Sequence, residues 1–510
     1  MTEPPPRAAF SATANQMEIF DAYVEELTRQ EAAKEKKGGK GGGGGGGGEG
    51  RKGKGEKTEE KRSGDIQSGE AEKVARAAKV MERMVNQNTY DDISQDFKYY
   101  EDAGDDYKEG RGTLLPLWRF RYDKARKMAV TALAWSPLYS DLFAVGHGSY
   151  DFNNQSGGGI ICLHSLKNPS FPEFIFSTGC GVMCLDIHPE HPHLLAAGLY
   201  DGTVAVYNLI LTERDQPVFR STVDTGKHTD PVWQVCWQKN DMEGNINFYS
   251  VSADGRVVIW RLIKNELQWE DVVQVSLPGE MTEGVEGTRN NVISSGTCIG
   301  FNPFLEHLFL VGSESGHVYT CSKAYTKHFL NVTKNHHMAV HALRWNPFHQ
   351  NVFASCGADW TVRIWDHTLS DPMFSYDLNS VVGDVAWSPF SSTVFAAVTA
   401  DGKVHVFDLS VNKYESLCVQ SVIQKKKTRL THVAFNPVHP LLCVGDDRGT
   451  VLCLKLSPNL RKALREKNKT NESEKAKMEK LIQFVREPLL ELQTSSGGKH
   501  PPPTPPAITT

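Results

Sequence analysis

One unit of sequence recurs seven times between Val130 and Leu456. That repetition constrains the fold more than any other feature, because a repeated unit buries its apolar faces only by stacking on its neighbours. Each copy opens on an alternating run that, in six of the seven copies, closes in a turn: Thr131-Ala-Leu-Ala-Trp135-Ser-Pro137, Met183-Cys-Leu-Asp-Ile187-His-Pro189, Trp233-Gln-Val-Cys-Trp237 and Thr297-Cys-Ile-Gly-Phe301-Asn-Pro303 are the first four. His341-Ala-Leu-Arg-Trp345-Asn-Pro347, Gly383-Asp-Val-Ala-Trp387-Ser-Pro389 and Thr431-His-Val-Ala-Phe435-Asn-Pro437 complete the set. Alternation at a period of two argues for half-buried strands.

In most copies a second apolar run ending in small residues follows, such as Leu142 to Gly146, Leu194 to Gly198 and Val352 to Cys356. Asp201-Gly202, Asp254-Gly255, Ser315-Gly316 and Asp401-Gly402 then supply the positive backbone angles of a tight hairpin, with Asp447-Arg448-Gly449 as a variant. A third strand comes next, as in Thr361-Val-Arg-Ile-Trp365-Asp366, Val257-Val-Ile-Trp260-Arg261 and Val404-His-Val-Phe407-Asp408. These units resemble the WD-repeat family, whose four-stranded blades recur roughly every 40 to 45 residues. Here the apolar anchors lie 42 to 64 residues apart. The fold expected is all-β: a seven-bladed WD-repeat β-propeller with largely disordered or helical N- and C-terminal extensions.

A lone antiparallel blade cannot cover its own faces and edges, so the ring must close. The last copy ends at Val451 to Leu456 without a fourth strand, whereas Leu115-Pro-Leu-Trp118-Arg-Phe120-Arg-Tyr122 precedes the first copy and alternates like one. That segment is expected to complete the seventh blade. It puts an N-terminal extension at 1–113, the propeller at 114–457 and a charged, helical and Pro-rich tail at 458–510.

The extensions hold little that could form a core. Lys34 to Arg62 is almost wholly Gly, Lys, Arg and Glu, with an unbroken glycine run from Gly41 to Gly48, and reads as a flexible linker. Met17, Phe20, Val24 and Leu27 have helical spacing, as do Val74, Ala78, Met81 and Val85, and each set suits a helix docked on a partner or on the chain's own ring. In the tail, Met478, Leu481, Ile482 and Val485 offer a helical stretch before Pro488.

Composition narrows the function. A formal net charge of −5 argues against a nucleic-acid partner, which would select a strong basic excess. No apolar run approaches the roughly 18 to 20 residues of a membrane span, so no membrane partner is expected. Met1 to Phe10 carries Glu3 and three prolines where a secretory signal needs a basic and then an apolar stretch. The ten cysteines stand singly in strand-like runs and read as reduced thiols of a cytosolic protein.

Chemical motifs are weak. The nearest approach to a phosphate-binding loop, Gly48 followed by Gly53-Lys54-Gly55, lacks the final Ser or Thr and the preceding strand. His188, His191 and His193 crowd one turn, but fill a position that other copies give to ordinary loop residues. No convergent acidic or metal-ligating set is evident for an active site in the central channel. No enzyme activity, catalytic residue, cofactor or metal is therefore expected.

In WD repeats a His before the first strand hydrogen-bonds an Asp in the hairpin. The resemblance assigns that role to His228 with Asp254 and to His337 with Asp359, and Trp365 is expected in the core. A pairing that recurs at one place in a repeat is structural, and no Ser or Cys nucleophile stands at a matching position. Tyr150, Tyr200, Trp360 and Arg448 flank the hairpins and are candidate partner contacts, since aromatics and Arg dominate binding energy when buried. Trp360 stands where Gly is usual.

Longer segments narrow the family. Asn86-Gln-Asn-Thr-Tyr90-Asp-Asp-Ile93, Gly148-Ser-Tyr-Asp-Phe152, Lys227-His-Thr-Asp-Pro-Val-Trp233, Asp359 to His367 and Asp384 to Leu409 are similar to the intermediate chains of axonemal outer-arm dynein. The resemblance implies a non-catalytic scaffold subunit of a microtubule motor in the cytoplasm and in the ciliary or flagellar axoneme. Its ring would bind a dynein heavy chain and a second WD-repeat intermediate chain, and its N-terminal extension would carry dynein light chains. The chain departs from the family at that extension, which looks shorter and carries polyglycine in place of a charged segment. A general WD-repeat adaptor outside the axoneme is the alternative.

Overall fold

The structure is a computed structural model that describes residues 56–101, 111–461 and 471–496 apart from the loop stretches 212–215, 242–243, 265, 284–288, 370 and 423–427, together with Val24 and Thr28. Met17, Phe20, Leu27 and the glycine run lie outside the described residues. The chain divides into two units, Met1–Ala77 and Ala78–Thr510, and the second contains every strand.

The sevenfold repeat becomes seven four-stranded antiparallel sheets. Blades 1 to 6 run in order: Ala129–Thr178, Val182–Arg220, Val232–Gln274, Gly296–Lys334, Val340–Asp377 and Val382–Ser421. Blade 7 takes three strands from Leu430–Leu456 and its outer strand from Leu114–Arg121. The outer strand pairs Leu114 with Leu456 and Phe120 with Val451, which closes the ring with residues more than 300 positions apart. Trp118 and Phe120 on that strand are buried, so closure hides apolar surface as well as an edge.

Every inner strand carries a bulge at the same place, for example between Val130 and Ala132 in blade 1 and between Val382 and Asp384 in blade 6. A bulge strengthens the local twist and re-aims the side chains that follow. Stacked blades interdigitate their apolar faces: Phe395 and Phe407 of blade 6 stack at 4.7 Å, and Tyr376 of blade 5 packs on both. A separate two-stranded hairpin, Ser276–Glu283 with Arg289–Ile293, follows blade 3 and accounts for the longest gap between anchors.

The described residues also include three α-helices: α1 (Glu56–Thr89), α2 (Asp91–Tyr99) and α3 (Asn471–Ser496). At the end of α1, Asn86 Nδ2 donates a 2.6 Å bond to Asn168 Oδ1, and Arg83 pairs with Glu173 at 3.1 Å. Val74, Ala78, Met81 and Val85 nevertheless face solvent. Phe97 of α2 packs on Trp118, while the buried Lys455 ammonium donates to the carbonyls of Asp96, Phe97 and Tyr100 and so caps the C-terminus of that helix.

The tail helix is docked, and it continues past Pro488, where the sequence reading ended the stretch. A proline inside a helix forfeits a backbone bond without always ending the element. Met478, Leu481 and Ile482 are buried in one cluster with Trp387, Phe395 and Phe407. Glu474 accepts the Ser392 N–H at 3.0 Å, and Arg486 pairs with Asp366 at 2.5 Å.

Candidate interaction surface

The turns between second and third strands bring the sequence-selected residues to one face of the ring. In blade 3 a chain of hydrogen bonds runs through four side chains. Trp260 Nε1 donates to Ser250 Oγ at 2.7 Å, Ser250 lies 2.7 Å from His228 Nε2, and His228 Nδ1 lies 3.0 Å from Asp254. An ionised Asp254 fixes the proton on Nδ1, so Nε2 accepts from the serine and every buried polar atom is used. Burial opposes the ionisation of Asp254 more than any single contact favours it, but the His228 hydrogen bond and charge together with the N–H groups of Arg256 and Thr229 outweigh it and hold the carboxyl below its ordinary range.

Blade 5 repeats the network with Trp365, Ser355, His336 and Asp359 at 2.8, 2.7 and 3.0 Å. The histidine is therefore His336, not His337. The buried ring belongs to His336, whereas His337 is exposed and contributes only its backbone N–H to Asp359, at 3.3 Å. The residues between the outer strand and the inner strand set which of two adjacent histidines points inward, and the local sequence does not distinguish them.

The four candidate contacts sit on separate blades. Tyr150 reaches from blade 1 across the channel mouth: its hydroxyl lies 3.3 Å from His432 Nε2 of blade 7, and its ring stacks 6.4 Å from Trp233 of blade 3. Tyr200 is half-buried, and its N–H donates to the Gly181 carbonyl. Arg448 is exposed, with its N–H on Asp446. Trp360 is half exposed at a φ of 68°, in the turn position that Gly202, Gly255, Gly316, Gly402 and Gly449 hold elsewhere. An L-residue there costs roughly 1–2 kcal/mol.

The channel holds a charged cluster that the sequence reading did not find. Arg344 lies 3.7 Å from Asp384, whose second oxygen is 3.3 Å from His432 Nδ1. Asp186 accepts the Trp237 N–H at 2.9 Å, and burial lifts its pKa to about 6. The signal was available as a column: the residue before each anchor is Ala134, Asp186, Cys236, Gly300, Arg344, Ala386 or Ala434, so two charges stand among small residues. Among the described residues no three His, Cys, Asp or Glu side chains are placed to hold a metal. His188 is a turn residue, its Nδ1 accepting the N–H groups of Glu190 and His191.

Seven blades closed by an N-terminal strand, with recurring Trp–Ser–His–Asp networks, define a WD-repeat propeller. Residues 170–208 and 220–261 match the model of the WD domain G-beta repeat, and 312–456 match that of the dynein axonemal intermediate chain 3 WD40 domain. The chain is 56% identical to ciliary dynein intermediate chain 2 of Heliocidaris crassispina, across 96% of this chain and 69% of that protein. It is 58% identical to dynein axonemal intermediate chain 1 of Bos taurus, across 95% and 69%. It is 42% identical to the 78 kDa intermediate chain of the flagellar outer arm of Chlamydomonas reinhardtii, across 95% and 71%. The chain belongs to the axonemal dynein intermediate chain family.

Proposed function

We propose that the protein is a non-catalytic scaffold subunit of the outer dynein arm in the ciliary or flagellar axoneme. Its propeller, 114–457, binds a dynein heavy chain and a second WD-repeat intermediate chain, and the extension 1–113 carries dynein light chains. The observation that supports this reading most is Trp360, an exposed indole held in a strained turn where the same fold uses glycine in five other blades. Strain kept at a surface site points to a partner that buries the side chain. The solvent-facing stripe of α1, with Val74, Met81 and Val85, supports attachment of further subunits at the N-terminal side.

The channel cluster does not favour an enzyme. Asp384 is held between Arg344 and His432. Ser250 and Ser355 do stand beside His228 and His336, against the sequence expectation, but both serines are fully buried and each also accepts an indole N–H, so no substrate reaches them. The test is to tag the protein in ciliated cells, extract axonemes with high salt and identify what cosediments. Recovery with an outer-arm heavy chain and a second intermediate chain is expected. Recovery of cytoplasmic partners alone would replace the reading with a general WD-repeat adaptor.

A further inference from the structure

Ring closure gathers cations that are far apart in sequence. The blade 7 turn Asp447–Gly449 lies against the loop from Tyr122 to Met128: a Cβ on Gly449 would meet the Ala125 carbonyl oxygen, with that of Met128 at 2.8 Å. The Asp447 N–H donates to the Arg429 carbonyl at 3.0 Å. Lys124, Arg126, Lys127, Arg429 and Arg448 thereby share one side of blade 7, and all five are exposed. None of them pairs with a carboxylate among the described residues. The local acids do not neutralise them. Among the described residues of these two turns, Asp123 is the one exposed carboxylate, Asp447 is half-buried, and the buried Asp446 spends its Oδ1 on the N–H groups of Arg448 and Thr450.

Five unpaired like charges on a chain of net charge −5 repel one another and disfavour closure. We propose that this face of blade 7 docks an acidic segment of a polypeptide partner, which neutralises the cations that closure brings together. Acidic polypeptide fits better than nucleic acid, because the chain as a whole is acidic, with a formal net charge of −5, and Tyr122, the aromatic residue of the Tyr122–Met128 loop, is half-buried, with its ring edge-on to Phe171 at 5.9 Å rather than free to stack on a base. The surface exists only in the closed ring, so its ligand also stabilises closure. This inference stands apart from the dynein reading and holds for any partner of that chemistry.

The experiment titrates the full chain with fluorescein-labelled poly-L-glutamate at low and moderate salt. It compares wild type with R429E/R448E, with K124Q/R126Q/K127Q, and with K334Q in blade 4 as a control. The wild type and the control are expected to bind with an affinity that falls as salt rises. Both patch variants should bind about tenfold or more weakly. The peptide should raise the melting temperature of the wild type and not of the patch variants. Equal binding by all four proteins, or none at low salt, overturns the proposal. Tighter, patch-dependent binding of single-stranded RNA than of poly-L-glutamate overturns it too, in favour of a nucleic-acid surface. All five positions are exposed and their mutual repulsion is relieved in the variants, so these should melt at or above the wild-type temperature, which separates a loss of binding from a loss of folding.

Discussion

Trp365 and Ser355 are joined by a 2.8 Å hydrogen bond from indole Nε1 to Oγ, at the centre of a network that reaches Asp359 through His336. The indole is 3% exposed, so its removal leaves a cavity and strands the serine. Trp365→Ala should cost about 3–5 kcal/mol in denaturant unfolding. A loss under about 1 kcal/mol would remove this residue from the core.

The two adjacent histidines should separate cleanly. His336→Ala removes the buried acceptor of the Ser355 hydroxyl and one ring partner of Asp359, and should cost about 1–3 kcal/mol. His337→Ala keeps the backbone N–H that Asp359 uses and should stay within about 0.5 kcal/mol of wild type. Equal losses in a paired thermal melt would show that both rings are structural.

Much of the ring was legible because period-two runs, hairpin glycines and anchor residues are local signals. Trp118 and Phe120 even marked the strand that closes it. What escaped the sequence depends on contacts between distant positions. The choice of His336 over His337 follows from loop geometry, the meeting of Arg344 with Asp384 from the curvature of the ring, and the burial of Met478 from the docking of α3. Spacing alone identifies a helix at Met478 to Val485 but not the surface that receives it.

Acid should weaken the seam between blades 7 and 1. His147 and His164 are buried, and desolvation pulls their pKa values from 6.5 to about 4 and about 3. The unfolded chain binds these protons first, so stability is complete above pH 6.5 and falls as pH drops toward 4. Each ring contributes up to a few kcal/mol, on the order of one per pKa unit. The melting temperature should therefore decline between pH 6.5 and 4.5, and His147→Leu should flatten the decline. An unchanged slope in that variant would exclude His147 as a source.

Trp360 invites a substitution that should improve the fold and harm the function. Glycine adopts a φ of 68° freely, so Trp360→Gly should raise stability by about 1 kcal/mol, offset in part by greater freedom in the unfolded chain. If the indole fills a partner's slot, the same change should lower recovery of the heavy chain from axonemal extracts. A stability loss with intact recovery would instead make the indole part of the ring's own packing.

Closure itself can be tested by removing its strand. A chain beginning at Asp123 keeps three strands of blade 7 but loses the pairing of Leu114–Arg121 with Thr450–Leu456, and it exposes apolar surface that Trp118 and Phe120 cover. An open edge beside an uncovered apolar face favours association with other chains. The shortened chain should therefore aggregate or unfold without a cooperative transition, while blades 2 to 5 keep their internal pairing. Adding a peptide of residues 111–122 should restore a cooperative melt, because the missing strand is held by backbone hydrogen bonds and side-chain burial rather than by covalent continuity. A shortened chain that melts cooperatively at the wild-type temperature would show that blade 7 closes the ring without its outer strand.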